Sequence, residues 1–405
     1  MLVGLLLLAL GIWSAGATIN ALRPFRHPLV LLPSMFWSWF VIGSPVQHLL
    51  SQILIAGVLI WLGALDHLFG SVGLGILAVS WIGTAVLIIR MRGAKGVVDT
   101  ALANAGVAPF GKSVSFWRTL AAVPIRGHGV ERIKDVPFRR VAGRVLKLDV
   151  FRDRSERTDR PVLIYIHGGG WVMGDKREQG LPLLHHFARN GWLCFSLNYR
   201  LSPGATFPDH LEDAKAGLAW VKAHASEYGG DASFVAISGG SAGGHLAAMI
   251  GLTENETRYQ PGFEDADTSI QAVVPIYGIY DMTNRMSTQS PQFVSLLLEP
   301  VVIKAFIADE PEKFHAASPI DHVHSDAPPF LIVQGDNDTL APVVETRAFV
   351  DRLSGVAKER VLYMEFPGAQ HIFDLGYSYQ SSRMVEGVLA VLEDEYQRST
   401  GSTPG

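Results

Sequence analysis

Formal charge is almost absent from the first 89 residues of this 405-residue chain and dense after them. That asymmetry restricts the possible fold more than any other feature. The chain holds 34 basic and 38 acidic residues, yet only Arg23, Arg26 and Asp66 precede position 90. Helices in a soluble core need a polar side, and none is available here. A membrane-embedded part therefore precedes a water-soluble one. Residues 1–22 are uncharged and contain Leu5-Leu6-Leu7-Leu8. Ala15-Gly16-Ala17 resembles a signal cleavage site, but no basic residue precedes the apolar core and more hydrophobic sequence follows, which favours an uncleaved span. Residues 28–65 lack Asp, Glu, Lys and Arg and suit two spans broken near Gly43-Ser44-Pro45; residues 68–89 suit another. About four spans over 1–95 are expected, a multi-pass membrane protein. An even number returns the following domain to the side of the N-terminus. Arg90, Arg92 and Lys95 against Arg23 and Arg26 then favour the cytoplasm for it.

Residues 96–140 mix glycine, small apolar and basic residues and read as a junction or cap segment near the membrane or over the site. From 141 to 398 the pattern is α/β. Apolar runs at 144–150, 162–166, 193–197, 234–237, 272–276, 330–333 and 361–366 read as strands, and 209–224, 343–353 and 382–396 as helices. Continuous apolar strands between amphipathic helices predict a mostly parallel sheet covered on both faces. The tail 399–405 is small and polar and is expected to be disordered. The net charge of −4 implies no nucleic-acid partner. Cys194, the single cysteine, lies in an apolar run and reads as a buried hydrophobe.

Chemistry concentrates in four places. Gly239-Gly240-Ser241-Ala242-Gly243 joins an expected strand to an expected helix, the Gly-x-Ser-x-Gly pattern of a nucleophile elbow. Upstream, His167-Gly168-Gly169-Gly170-Trp171 follows a strand and can turn backbone N–H groups toward an oxyanion. The donors would be Gly169 and Gly170, with Ala242 beside the serine. A serine at its free pKa needs a base held by an acid, and in this fold the chain order is Ser, acid, His. Asp338 and His371 follow strand ends in that order, with Asp336 as a rival acid that lies less deep in its loop. Tyr199 and Arg200 are expected to support the oxyanion loop, together with His167 and Gly168. Trp171 serves equally well as a substrate-binding wall or as a residue closing the loop onto the core. His245 reads as packing, and His322 and His324 as loop residues, since no third metal ligand has suitable spacing.

From about residue 140 to 396 the chain resembles the hormone-sensitive-lipase group of α/β-hydrolase esterases and lipases. The resemblance rests on the oxyanion and elbow motifs, Tyr199-Arg200-Leu201-Ser202-Pro203, Tyr228-Gly229-Gly230-Asp231, Asp336-Asn337-Asp338-Thr339-Leu340 and Gly368-Ala369-Gln370-His371. With its apolar N-terminus and Pro261-Gly262-Phe263-Glu264-Asp265-Ala266-Asp267, it is similar in particular to membrane-associated actinobacterial carboxylic-ester hydrolases. The resemblance implies an α/β-hydrolase fold with a cap built from 96–135 and an insertion at 278–325. The expected spans place the site beside a bilayer, where apolar esters concentrate, which suggests an acyl-ester or lipid substrate, and two-step acyl transfer needs no metal or organic cofactor. Many members carry an acid before the nucleophile, where this chain has Gly240, and Ala-Pro-Glu where it has Ser202-Pro203-Gly204. A deacetylase or methylesterase acting on a membrane-bound molecule is the alternative enzyme. A non-catalytic receptor or adaptor that has kept the fold is the alternative of another class.

Overall fold

The computed structural model describes residues 1–27, 30–108 and 129–401. Its centre is one eight-stranded sheet: β1 Val130–Val141, β2 Arg144–Asp153, β3 Arg160–Ile166, β4 Leu193–Leu197, β5 Gly230–Gly240, β6 Ala272–Ile276, β7 Phe330–Gly335 and β8 Val361–Phe366. The spatial order is β1-β2-β4-β3-β5-β6-β7-β8. β1 pairs with β2, and β2 with β4, antiparallel; the remaining pairs are parallel. The central parallel strands β3 and β4 are mostly apolar and fully buried, because their side chains alternate between two covered faces. Val162, Ile164 and Ile166 of β3 enter one core, while Leu163 and Tyr165 enter the other.

Helices Ala94–Ala105, Leu181–Arg189 and Tyr379–Thr400 cover the face of Leu163 and Tyr165. Asp209–His224, Ala242–Leu252 and Val343–Ser354 cover the opposite one. Every strand and helix expected from the sequence forms, and some run further. Residues 96–140 need correction: they supply β1 and most of the helix Ala94–Ala105, whose Val98, Ala101 and Leu102 are buried in the core. The rest of that cap expectation, 109–128, lies outside the described residues. The expected tail is also corrected, since the last helix continues to Thr400 and only 402–405 lie outside the described residues.

Four apolar helices precede the sheet: α1 Leu2–Leu22, α2 Leu31–Gly43, α3 Pro45–Trp61 and α4 Leu68–Met91. α1 and α4 touch through small residues. A Cβ on Gly11 would meet Gly73, and one on Gly4 would lie 3.2 Å from the nitrogen of Gly70. Hydroxyls continue the seam, Ser14 to Ser80 at 2.6 Å and Thr18 to Thr84 at 3.3 Å. Small residues let backbones approach, and the hydroxyls satisfy each other between them. The pairing advances in the same direction along both helices, so α1 and α4 are parallel. α3 runs against both: Trp13 meets His48 and Trp81 donates to Gln52, while Leu7 and Leu77 join Ala56 further on.

This geometry corrects the even-numbered layout. Parallel α1 and α4 put Met1 and the sheet at opposite ends of the helical region. α1 and the helical run Leu68–Ala105, in which α4 passes through a turn at Arg92 and Gly93 into the helix Ala94–Ala105, are long and apolar enough to cross a membrane, whereas α2 and α3 form one pair bent by 88° at Ser44. α2 lies beside the last turns of α1 and α4, its Val41 and Ile42 packed with Ala17, Ala21, Leu87 and Met91. Asn20 fixes its start by donating to the Ser34 carbonyl at 2.6 Å.

Candidate active site

The C-terminal edge of the parallel strands carries the side chains singled out above, as expected where ligands bind open α/β sheets. Ser241 sits between β5 and the helix Ala242–Leu252 at φ +57°, a region unfavourable for a residue with a side chain. It is held there by its N–H, which donates to the Ile276 carbonyl at 2.9 Å. The flanking glycines are required by contact. A Cβ on Gly243 would fall on the carbonyl of Ile166, and one on Gly239 would fall on the carbonyl of Gly243. Strand and helix can therefore cross closely enough to leave the serine hydroxyl in the open.

The loops after β7 and β8 are laced together. Asn337 N–H donates to the Ala369 carbonyl at 3.1 Å, and Gly368 N–H to Asp336 Oδ1 at 2.6 Å. Gln370 Oε1 accepts from the N–H of Thr339 at 2.8 Å and of His371 at 2.9 Å. This lacing brings His371 Nδ1 to 2.7 Å from Asp338 Oδ2 and His371 Nε2 to 2.8 Å from Ser241 Oγ. The other oxygen of Asp338 accepts from Leu340 and Ala341 N–H at 2.9 and 2.8 Å, which fixes the carboxylate plane. His371 and Asp338 are 2% and 3% exposed, so their contact is made away from water. Asp336, the rival acid, bonds the Gly368 backbone instead of the imidazole, and burial pushes its carboxyl up.

The glycine loop after β3 presses on the elbow. A Cβ on Gly168 would lie 3.0 Å from that of Ser241. Gly169 and Gly170 hold positive φ values of 117° and 60°. Their N–H groups, and that of Ala242 at the helix N-terminus, make no hydrogen bond among the described residues. Gly168 N–H is tied to Gln179 at 2.8 Å. Tyr199 stacks on His167 at 4.6 Å and donates to its carbonyl at 3.1 Å. Burial lowers His167 to about 4, so this ring is neutral near pH 7. Arg200 acts one step further out, its Nε donating to Asp213 at 2.6 Å on the helix Asp209–His224.

Trp171 is 1% exposed and lies edge-on to His245, 5.1 Å between ring centres, while its carbonyl accepts from Ser202. An indole without open surface closes the loop onto the core, so the substrate-wall expectation for it is corrected. His245 is buried and bonds the Ala317 carbonyl at 2.8 Å. His322 bonds the Ala316 carbonyl at 2.9 Å, and no cluster of three metal-ligating side chains occurs among the described residues. Sequence reasoning did not single out Gln370, Gln179, Tyr277 or Asp374. Amide and phenol bridges have no spacing rule, so only Gln370, next to the histidine, offered a signal.

A strand–elbow–helix with these loops on an eight-stranded sheet defines an α/β-hydrolase, and its relatives make the chain a carboxylic-ester hydrolase. The BD-FAE family model matches residues 148–353, and the chain belongs to that family, within the hormone-sensitive-lipase-like group. It is similar to the probable carboxylic ester hydrolase LipM of Mycobacterium tuberculosis, at 40% identity over 97% of this chain and 94% of that protein. Esterase LipQ of the same organism is 41% identical over 67% of this chain and 64% of its own. Among solved structures, Thermogutta terrifontis esterase 2 phosphonylated by sarin matches with TM-score 0.56 and 24% identity, over 70% of this chain and 99% of that one. At that identity the likeness concerns the fold.

Proposed function

We propose that Ser241, His371 and Asp338 form the catalytic triad of a membrane-bound esterase whose acyl esters arrive from the bilayer. The observation that carries this is the unbroken chain Asp338–His371–Ser241 at the sheet edge. His371 Nε2 takes the hydroxyl proton as Ser241 Oγ attacks the ester carbonyl; the same proton passes to the departing alcohol, leaving an acyl-serine. Water repeats the steps in reverse and releases the acid. The N–H groups of Gly169, Gly170 and Ala242 face the developing oxyanion, at a helix N-terminus that favours negative charge. The segment Pro291–Ile303 belongs to the cap: Leu297 lies beside Gly170, and Leu296 and Met173 offer apolar surface at 69% and 65% exposure.

The helical region lies against the same edge. Asn337, between Asp336 and Asp338, reaches the Ala21 carbonyl at 3.4 Å, and a Cβ on Gly93 would lie 3.1 Å from Pro367. Tyr377, Ser378 and Tyr379 line a small cavity together with Gly43, Ser44 and Pro45. α1, α3 and α4 are about 31, 25 and 36 Å long at 1.5 Å per residue, near the ~30 Å of bilayer hydrocarbon. We read three crossings, with α2 lying flat at the interface. Arg23, Arg26, Arg90, Arg92 and Lys95 then all fall on the catalytic side and Asp66 on the other, which favours the cytoplasm for the catalytic domain.

Two measurements check this reading. In reconstituted vesicles, a decanoyl nitrophenyl ester that partitions into lipid should exceed the acetyl ester in kcat/KM by about tenfold or more, as burial of each further CH2 contributes about 0.8 kcal/mol. A preference for acetyl in vesicles and detergent alike refutes supply from the bilayer and leaves ester hydrolysis standing. For topology, green fluorescent protein fused at Gly405 should fluoresce in cells, and a single cysteine placed before Met1, in a Cys194→Ala background, should react with an impermeant maleimide from outside. Labelling only after lysis overturns the three-crossing layout.

A further inference from the structure

The catalytic histidine is held from a second side. Tyr277, the first residue after β6, is 2% exposed and sits at φ +39°, its N–H donating to the Val333 carbonyl at 2.7 Å. Its ring faces the imidazole of His371, 4.7 Å between centres at 54°. Its hydroxyl donates to Oδ1 of Asp374, which lies three residues beyond His371 on the same loop and is 3% exposed. Tyr165 from β3 is fully buried, and its hydroxyl makes no hydrogen bond among the described residues. Both phenol oxygens occupy the space beneath the residue before the nucleophile: a Cβ on Gly240 would lie 2.9 Å from that of Tyr277 and 3.1 Å from that of Tyr165. A side chain at 240 would crowd both phenols.

We propose that Tyr277 and Asp374 are positioning residues for His371: the phenol clamps the histidine loop through Asp374, and the Asp374 carboxylate adds a second negative charge beside the imidazolium formed in each acyl-transfer step. This rests on the reading of His371 as the base. Without the clamp, Asp374 loses its hydrogen bond to the end of β6, and the ring keeps only its contacts with Asp338 at Nδ1 and Ser241 at Nε2. Burial pushes the Asp374 carboxyl up, while the Tyr277 hydroxyl and the positive charge of His371 pull it back toward ionisation.

The groups facing His371 are Asp338 from the β7 loop, Ser241 from the elbow, Tyr277 from the end of β6 and Asp374 from its own loop, with Tyr165 behind. A carboxylate near an imidazole favours the protonated ring. Removing it must move the acid limb of the kcat/KM profile to lower pH.

The test uses full-length protein in detergent with a nitrophenyl ester. Asp374→Asn, which keeps shape and removes charge, should shift the acid limb down by about half to one pH unit and lower kcat about tenfold with KM nearly unchanged. Tyr277→Phe should lower kcat by a similar factor, and Tyr277→Leu, which also removes the ring, by more. A merely structural role would lower the melting temperature and leave the pH profile in place. Wild-type profile and kcat in both Asp374→Asn and Tyr277→Phe overturn the proposal. Should Asp374→Asn fail to fold, Tyr277→Phe decides alone by its kcat. If the Ser241→Ala protein remains active, it is the triad reading that has failed; if that protein is dead and these variants are normal, only the positioning role has.

Discussion

Ser241→Ala should lower ester hydrolysis by about 10^4- to 10^6-fold, close to the loss from removing a whole triad, with circular dichroism and melting temperature near wild type. The size follows from the chemistry: without the hydroxyl no acyl-enzyme forms, and the oxyanion donors and binding surface are all that remain. Folding should survive because the elbow is built by Gly239, Gly243 and the backbone bond of residue 241 to Ile276, none of which needs the hydroxyl. Alanine must still adopt φ +57°, as serine does, so backbone strain is unchanged. Labelling by a fluorescent alkyl phosphonate should disappear with the activity. A purified mutant that keeps full turnover would sink the mechanism, and a wild-type protein that neither reacts with the phosphonate nor hydrolyses any ester would favour the receptor alternative.

The second large effect separates two aspartates two residues apart. Asp338→Asn should cost about 10^4 in kcat, because an amide facing Nδ1 favours the wrong imidazole tautomer and cannot stabilise the imidazolium. Asp336→Asn should stay within a few-fold of wild type, since an amide oxygen can still accept the Gly368 N–H. The pair is a useful control, as both lie in one loop and a general disturbance of that loop would affect both alike. Equal losses would mean that loop shape matters and the Asp338 charge does not. A larger loss for Asp336 would reassign the acid.

The oxyanion loop shows why some site residues were legible and others not. His167 to Trp171 and the elbow are local patterns, because glycines there answer contacts within a few residues or with the next strand. Asp338 and His371 could be ranked by chain order and by depth in their loops. Tyr277, Asp374 and Gln370 act through contacts between loops distant in sequence, and a tyrosine after a strand is otherwise an ordinary core residue. Trp171 illustrates the opposite limit. Its position beside the glycines admits either a pocket wall or a core anchor, and packing against His245 decides for the core. The segment 96–140 misled because β1 is half-exposed and interrupted by Pro137 and charged residues, so it lacks the apolar run of a central strand.

The helical region divides in the same way. Lack of charge before residue 90 determined by itself that this part is apolar on all sides, and short-range chemistry determined the α/β alternation, the elbow, the glycine loop and the order Ser, Asp, His. Those properties are local: hydropathy, periodicity and turn geometry are written within a few residues. Tertiary structure alone decided that α1 and α4 run parallel, that α2 lies across their ends, and that the catalytic loops rest on that end. Helix direction and docking depend on which small residues and hydroxyls meet across some sixty residues of chain, as Ser14 meets Ser80. Hydropathy counts apolar residues and is blind to which way a helix points, whereas packing is not.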